Sequence, residues 1–257
     1  MAKLVNAEWL AARIGADAIT VVDPRRPMKY LAGHLPHAIN VPVYKCFAAD
    51  GALLDPTALA QFLGASGLGD GATPVLYDSP EGQNAAMLAW ILEYLGRDDV
   101  AIMLEFFETW KKSGREVFYK PVDAAAQRFT ARPDAAVRIG VEEARVLPGT
   151  RFVDFRSAEE FSGARTIADD RPGHIPGSSN VAWRELGQGE MVLKSAADLK
   201  ELFAAVGLSS AAEVVAYCRS GPRAALGYLA LRQAGYRARL FDGSWAQWSR
   251  SGLPAEK

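Results

Sequence analysis

Cys218-Arg219-Ser220-Gly221-Pro222-Arg223 is the stretch whose residue types and spacing could do chemistry. Val214, Val215, Ala216 and Tyr217 precede it and read as a buried, β-prone strand. Ala224 to Ala234 follow, rich in Ala and Leu, and read as a helix that Gly235 stops. The thiol therefore sits in a turn between a strand and a helix N-terminus. The turn's N–H groups and the helix dipole favour negative charge there, and Arg219 and Arg223 add two positive side chains. Such surroundings favour the thiolate, the nucleophilic form of cysteine. They also suit a bound anion, whose charge preorganised N–H dipoles would stabilise. Gly221 lets the backbone approach closely or take a positive φ. Pro222 has no N–H, so the amides of Arg219, Ser220, Gly221, Arg223 and Ala224 are the candidate donors. The two guanidinium groups offer paired donors to an oxyanion.

The elements that must position this loop occur twice. Val21-Val22-Asp23-Pro24-Arg25 returns as Phe152-Val153-Asp154-Phe155-Arg156, and Gly33-His34-Leu35-Pro36 with Asn40-Val41 returns as Gly173-His174-Ile175-Pro176 with Asn180-Val181. Pro74 to Asp78 returns as Val214 to Cys218, Asn84 to Leu95 as Ala224 to Ala234, and Trp110 to Gly114 as Trp248 to Gly252. Five matches in one order indicate a duplicated domain of about 140 residues. The spacing predicts domains over 1–118 and 138–257, with an irregular surface linker over 119–137. Each copy reads as a short helix (Ala7 to Ile14 in the first, with Asn6 as N-cap), a strand ending in Asp, a Gly-His-x-Pro turn, a helix, a strand, the turn in question, a long helix and a last short strand. The middle helices are Pro56 to Gly64 and Ser195 to Val206, and the last strands Val100 to Leu104 and Arg237 to Phe241. Apolar strands alternating with helices predict an α/β fold, a mainly parallel sheet flanked by helices on both faces. Ligands bind outside the carboxyl ends of such strands, where Cys218 and Asp154 both fall.

Composition narrows the partners. In 257 residues, 49% are apolar and 23% charged, with a net charge of −1. That balance is ordinary for a soluble globular chain and gives no field toward nucleic acid or anionic membrane. Two cysteines cannot build a disulfide framework, and the three His are well separated, so no metal site and no cofactor are expected. Neither a dinucleotide fingerprint nor a P-loop is present. The N-terminus lacks the apolar run of a signal peptide, and no stretch approaches the ~18 apolar residues of a membrane span. Cytoplasmic residence is the expectation.

Val153-Asp154-x-Arg156, Gly173-His-Ile-Pro-Gly-Ser-Ser-Asn180, the Cys218-to-Arg223 loop and Asp242-Gly-Ser-Trp245 together resemble the tandem rhodaneses, two rhodanese-like domains with the active cysteine in the second. The resemblance covers essentially the whole chain. It implies sulfur transfer: sulfane sulfur passes from thiosulfate to Cys218, then from the persulfide to cyanide or a thiol. Cysteine phosphatases place five residues between Cys and Arg, whereas four separate Cys218 from Arg223, so the cradle suits a single sulfur atom. Mercaptopyruvate sulfurtransferases share the overall plan, but they typically carry Cys-Gly-Ser-Gly-Val-Thr in the loop and an Arg-Phe pair where Glu160-Phe161 stand here. That donor, or persulfide carriage to a protein acceptor, is the alternative. The expected site comprises Cys218 as catalyst, Arg219, Ser220, Gly221, Arg223, Arg156 and Trp245 around a small anionic donor, and Asp154 in support. Asp78 stands where Cys218 would in the first copy, which is expected to be catalytically silent. His34 and His174 recur in both copies and are expected to be structural. Cys46 is expected to be a half-buried bystander.

Overall fold

The computed structural model describes residues 2–146, 150–168, 170–209 and 213–257. The chain forms two compact units, Met1–Asp134 with Gly189–Val192, and Ala135–Gln188 with Leu193–Lys257.

In unit 1, the strands are β1 (Lys3–Val5), β2 (Ile19–Asp23), β3 (Ile39–Asn40), β4 (Thr73–Leu76) and β5 (Ala101–Met103). Its helices are α1 (Ala7–Ala11), α2 (Pro27–Leu31), α3 (Pro56–Ala65), α4 (Gln83–Tyr94) and α5 (Phe107–Lys112). Among the described residues its sheet has five parallel strands in the order β1-β5-β4-β2-β3. Asn6 caps α1 by accepting from Trp9 N, as expected, but α1 ends at Ala11 rather than Ile14. The chain there turns through Gly15, whose φ is +86°.

Unit 2 repeats the plan. Its helices are α6 (Val141–Ala144), α7 (Ala158–Phe161), α8 (Ala196–Ala205), α9 (Pro222–Gln233) and α10 (Ser244–Arg250), and its strands are β6 (Arg151–Asp154), β7 (Ser179–Asn180), β8 (Glu213–Tyr217) and β9 (Arg237–Leu240). The described sheet is parallel and ordered β7-β6-β8-β9. Among the described residues no strand matching β1 flanks β9; instead Arg138 bridges Leu240 in parallel, and Ile139 N donates to Leu240 O.

Alternation along β8 explains why this sheet is covered on two sides. Val215 and Tyr217 join a buried cluster with Phe152, Trp245 and Trp248. Val214 and Ala216 point to the opposite face, are equally buried, and lie on the side packed by α9. Parallel strands buried this way need apolar residues throughout, which the sequence supplies.

Residues 119–134 form no helix or strand, yet they are tied down. Gln127 N donates to Gly64 O, Thr130 N to Asp70 Oδ1 and Asp134 N to Tyr94 O, and Phe129 is buried. These bonds attach the segment to unit 1. Gly189–Val192 also joins unit 1: Val192 N donates to Leu104 O, and Glu190 pairs with Lys112 at 2.7 Å.

Candidate functional site

The repeated Asp-x-Arg and Gly-His motifs form one framework in each unit. Arg156 donates through Nε and Nη2 to Asp154, with the closest contact at 2.6 Å, and through Nη2 to Gly173 O at 2.8 Å. Arg25 makes the same contacts to Asp23 and Gly33 O. Asn180 Nδ2 donates to the carbonyls of Asp154 and Arg156, and Asn40 to those of Asp23 and Arg25. His174 and His34 each place Nδ1 2.9 Å from a carbonyl, of Phe161 and Tyr30, and stack on those rings. Tyr217 OH accepts from Ile175 N, as Tyr77 OH does from Leu35 N. This network fixes the strand end and the tyrosine that leads into the loop. It exists with or without a thiol, so it is structural chemistry.

That symmetry bears on two expected site residues. Arg156 gives Nε and Nη2 to Asp154 and Gly173, as Arg25 does to Asp23 and Gly33 in the copy that lacks cysteine at the strand end. Trp245 is expected at the donor; it is 1% exposed, belongs to the core cluster, donates through Nε1 to Arg171 O and lies 4.9 Å from Arg156 Cζ.

Cys218 follows β8 directly and is 1% exposed. Gly221 caps α9 at φ 108°, a backbone that disfavours any side chain, and its N–H points at Cys218 Sγ at 3.2 Å. α9 begins at Pro222, two residues earlier than its composition predicts, because a proline is well placed at the first helical position. The amide of its N-cap, Gly221, therefore sits at the thiol. Ser220 is exposed at the tip of the loop.

The far side of the loop is held by residues that sequence reasoning missed. Ser244 Oγ accepts from Cys218 N at 3.2 Å and donates to Phe241 O at 2.8 Å. Trp245 N donates to Cys218 O and Ala246 N to Arg219 O, each at 3.0 Å. Ser244 reaches this position with φ 51°, an uncommon backbone for a serine, and is fully buried. Only the Gly-Ser-Trp order hinted at a turn here.

Both loop arginines carry carboxylates. Arg223 makes a two-point contact with Glu160, Nη1 to Oε2 at 2.6 Å and Nη2 to Oε1 at 3.0 Å. Arg219 donates through Nε to Asp170 Oδ2 at 2.7 Å. Burial pushes the Glu160 carboxyl up, but the hydrogen bonds and charge of Arg223 outweigh it and hold the group below the usual glutamate range. Burial likewise opposes the Arg223 charge; Glu160 and the nearby Cys218 sulfur prevail and hold the guanidinium above its ordinary value. Glu160 is placed by a capping box with Ser157, a pattern visible in sequence as Ser157-x-x-Glu160. Asp170 left no such signal. The two arginines are thus partly neutralised, where the loop alone reads as fully cationic.

In unit 1, Asp78 follows β4 and Tyr77 as Cys218 follows β8. Its O accepts from Phe107 N as Cys218 O accepts from Trp245 N. Its carboxylate folds into the turn, accepting from Ser79 N, Asn84 N, Asn84 Nδ2 and Ala85 N at 2.8–3.1 Å. The cradle is filled by the protein's own anion. The loop is also one residue longer here: the capping glycine before α4, Gly82, stands four positions after Asp78, whereas Gly221 stands three after Cys218. Cys46, expected to be half-buried, is fully buried.

Two duplicated parallel-sheet units, one presenting a thiol to a backbone N–H at a strand's carboxyl end, define a class of tandem α/β proteins. The Rhodanese-like domain family matches residues 6–113 and 139–251, and the chain belongs to that family. A Corynebacterium glutamicum thiosulfate sulfurtransferase is 29% identical over 270 residues, covering 96% of this chain and 87% of that one. A Synechococcus elongatus protein, provisionally named a thiosulfate sulfurtransferase, is 29% identical across 99% of this chain and 85% of its own. The crystal structure of SseA from Escherichia coli, a study of the rhodanese fold and mechanism of 3-mercaptopyruvate sulfotransferases, superposes with a TM-score of 0.85 at 25% identity, covering 95% of this chain and 99% of that one. The activity class shared by family and relatives is sulfur transfer. Among the described residues, no helix is long and apolar enough to cross a membrane.

Proposed function

We propose that this sulfurtransferase uses thiosulfate as donor and cyanide or a small thiol as acceptor, with Cys218 as the nucleophile. The observation that carries the reading is the Cys218 sulfur at the end of β8, facing the Gly221 N–H at 3.2 Å and flanked by Arg219 and Arg223. The Cys218 thiolate attacks the outer sulfur of thiosulfate; the S–S bond to the sulfonate breaks and sulfite leaves with the electron pair. The resulting Cys218–S–S⁻ carries its charge on the outer atom, beside the Gly221 amide and the positive end of α9. Cyanide then takes that sulfur as thiocyanate and regenerates the thiolate, a ping-pong sequence. Arg219 meets the donor's oxyanion through its open Nη groups, Arg223 stands beside it paired with Glu160, Ser220 lies at the exposed rim, and Asp154, Arg156 and Trp245 hold the loop. The first domain, with its own carboxylate in the cradle, takes no sulfur. Two free cysteines suit a reducing cytoplasm.

Likeness to SseA favours one second reading, in which 3-mercaptopyruvate is the donor. Steady-state turnover with each donor separates them. The expected result is a kcat/KM for thiosulfate at least ~10-fold above that for 3-mercaptopyruvate, a difference of transition-state binding of about 1.4 kcal/mol. The reverse order would assign the chain to the second donor.

A further inference from the structure

Each of the three arginines nominated around Cys218 faces a carboxylate, one of which, Asp170, also lies 3.5 Å from Arg250. Arg156 pairs with Asp154 at 2.6 Å, Arg219 with Asp170 at 2.7 Å and Arg223 with Glu160 at 2.6 Å. The Arg156–Asp154 pair has a counterpart in unit 1, Arg25–Asp23, and is framework. The other two pairs belong to the active loop. They differ in what they leave open. Glu160 occupies both Nη groups of Arg223. Asp170 uses only Nε of Arg219, and no other described residue takes its Nη groups. Arg219 is the more exposed side chain of the two.

A donor that approaches Cys218 therefore meets one arginine with its planar fork available and one whose fork is already filled by an anion. Glu160 is itself 5% exposed, so its charge acts through a poorly solvated region and is weakly screened. Such a charge penalises each added negative charge on the donor, which is how a binding site discriminates through repulsion as well as attraction. We propose that Glu160 is a specificity-determining residue that tempers the charge accepted at Cys218: it fills Arg223 and, compared with a neutral side chain at the same place, narrows the advantage of a dianionic donor such as thiosulfate over a monoanionic sulfane donor, leaving Arg219 as the arginine that grips the oxyanion. The inference rests on Cys218 being the sulfur-accepting nucleophile, and it deepens that reading by naming a residue that weighs the donor's charge.

Two donors that differ by one charge test it. Thiosulfate is a dianion and releases sulfite. Methanethiosulfonate, CH₃SO₂S⁻, is a monoanion; the same attack breaks its S–S bond, forms the same Cys218 persulfide and releases methanesulfinate. In the full chain, with cyanide as acceptor, the ratio of kcat/KM for thiosulfate to that for methanethiosulfonate is measured for wild type, Glu160→Gln and Glu160→Asp. Glu160→Gln should raise the ratio by ~5-fold, chiefly through a lower thiosulfate KM, since only the charge-dependent part of binding changes. Glu160→Asp should return it toward wild type, because the charge is restored. A purely structural Glu160 would change both donors by the same factor and leave the ratio fixed, and that outcome overturns the inference. Should Glu160→Gln not accumulate as folded protein, Glu160→Ala removes the same charge and is read the same way: a rise in the ratio supports the inference, and a fixed ratio overturns it. A wild type that releases neither sulfite nor methanesulfinate would overturn the sulfur-transfer reading itself, and this inference with it.

Discussion

Asp78 and Cys218 stand at the same step of equivalent strands, and each answers the positive field of a turn and a helix start. Among the described residues, Cys218 meets that field with no charge from another side chain, as the proposed persulfide requires. Asp78 supplies the anion permanently and accepts four hydrogen bonds with it. Burial nevertheless prevails over those bonds and pushes the Asp78 carboxyl up to about 6, from an ordinary 3.8. A folded-state value raised above the unfolded one contributes stability that is full below about pH 3.8 and is lost as pH rises through about 6. The difference in unfolding free energy, wild type minus Asp78→Asn, should therefore fall between about pH 4 and pH 6.5 in urea titrations. A difference that stayed flat across that range would contradict the burial account. Cys218, the thiol in a Gly-containing turn before a helix, is legible in sequence because it depends on neighbours in the chain. Its carboxylate partners were not: Glu160 and Asp170 lie 63 and 49 positions from their arginines, and only the folded sheet brings them together.

At the scale of elements, α9 does two jobs that compete. Its N-terminus must reach the thiol, and its face must lie flat on the sheet. Gly227 shows how tightly the second is met: a Cβ there would stand 2.3–2.4 Å from the Phe155 ring. Phe155 is fully buried and packs edge-on against Phe203, so it has little room to retreat. Helix propensity alone favours Gly227→Ala by about 1 kcal/mol, whereas overpacking a dense core costs about 1–3 kcal/mol or more. The clash should win, lowering the unfolding free energy by about 1–2 kcal/mol in denaturant titrations; a stabilised variant would show that the contact is looser than the structure has it. The strand and helix order was readable because apolar runs and Gly stops mark it. The start of α9 at Pro222 was missed by two residues because Ala and Leu content outweighed the proline's preference for a helix's first turn. Ser244 escaped notice for a different reason. Its left-handed backbone is imposed by the Cys218, Phe241 and Trp245 contacts, and serine carries no sequence mark of such a conformation.

Over the whole molecule, duplication separates scaffold from chemistry. Whatever recurs in both units, namely the Asp-Arg-Asn lattice, the stacked histidines and the strand-end tyrosines, serves the fold. What occurs in one unit only, namely the thiol, the positive-φ Gly221 three residues after it, Ser244 and the two arginine–carboxylate pairs, is what the proposed reaction uses. The second cysteine does not blur this division, since Cys46 is fully buried and burial pushes its thiol up to about 12. The central claim is then that sulfane sulfur resides on Cys218 and nowhere else. The direct measurement is the mass of peptides from the full chain after exposure to thiosulfate without acceptor. The Cys218 peptide should gain about 32 Da, one sulfur atom, and lose it on addition of cyanide, as a covalent intermediate requires. A Cys218 peptide of unchanged mass, or the same gain on the Cys46 peptide in Cys218→Ser, would contradict the account.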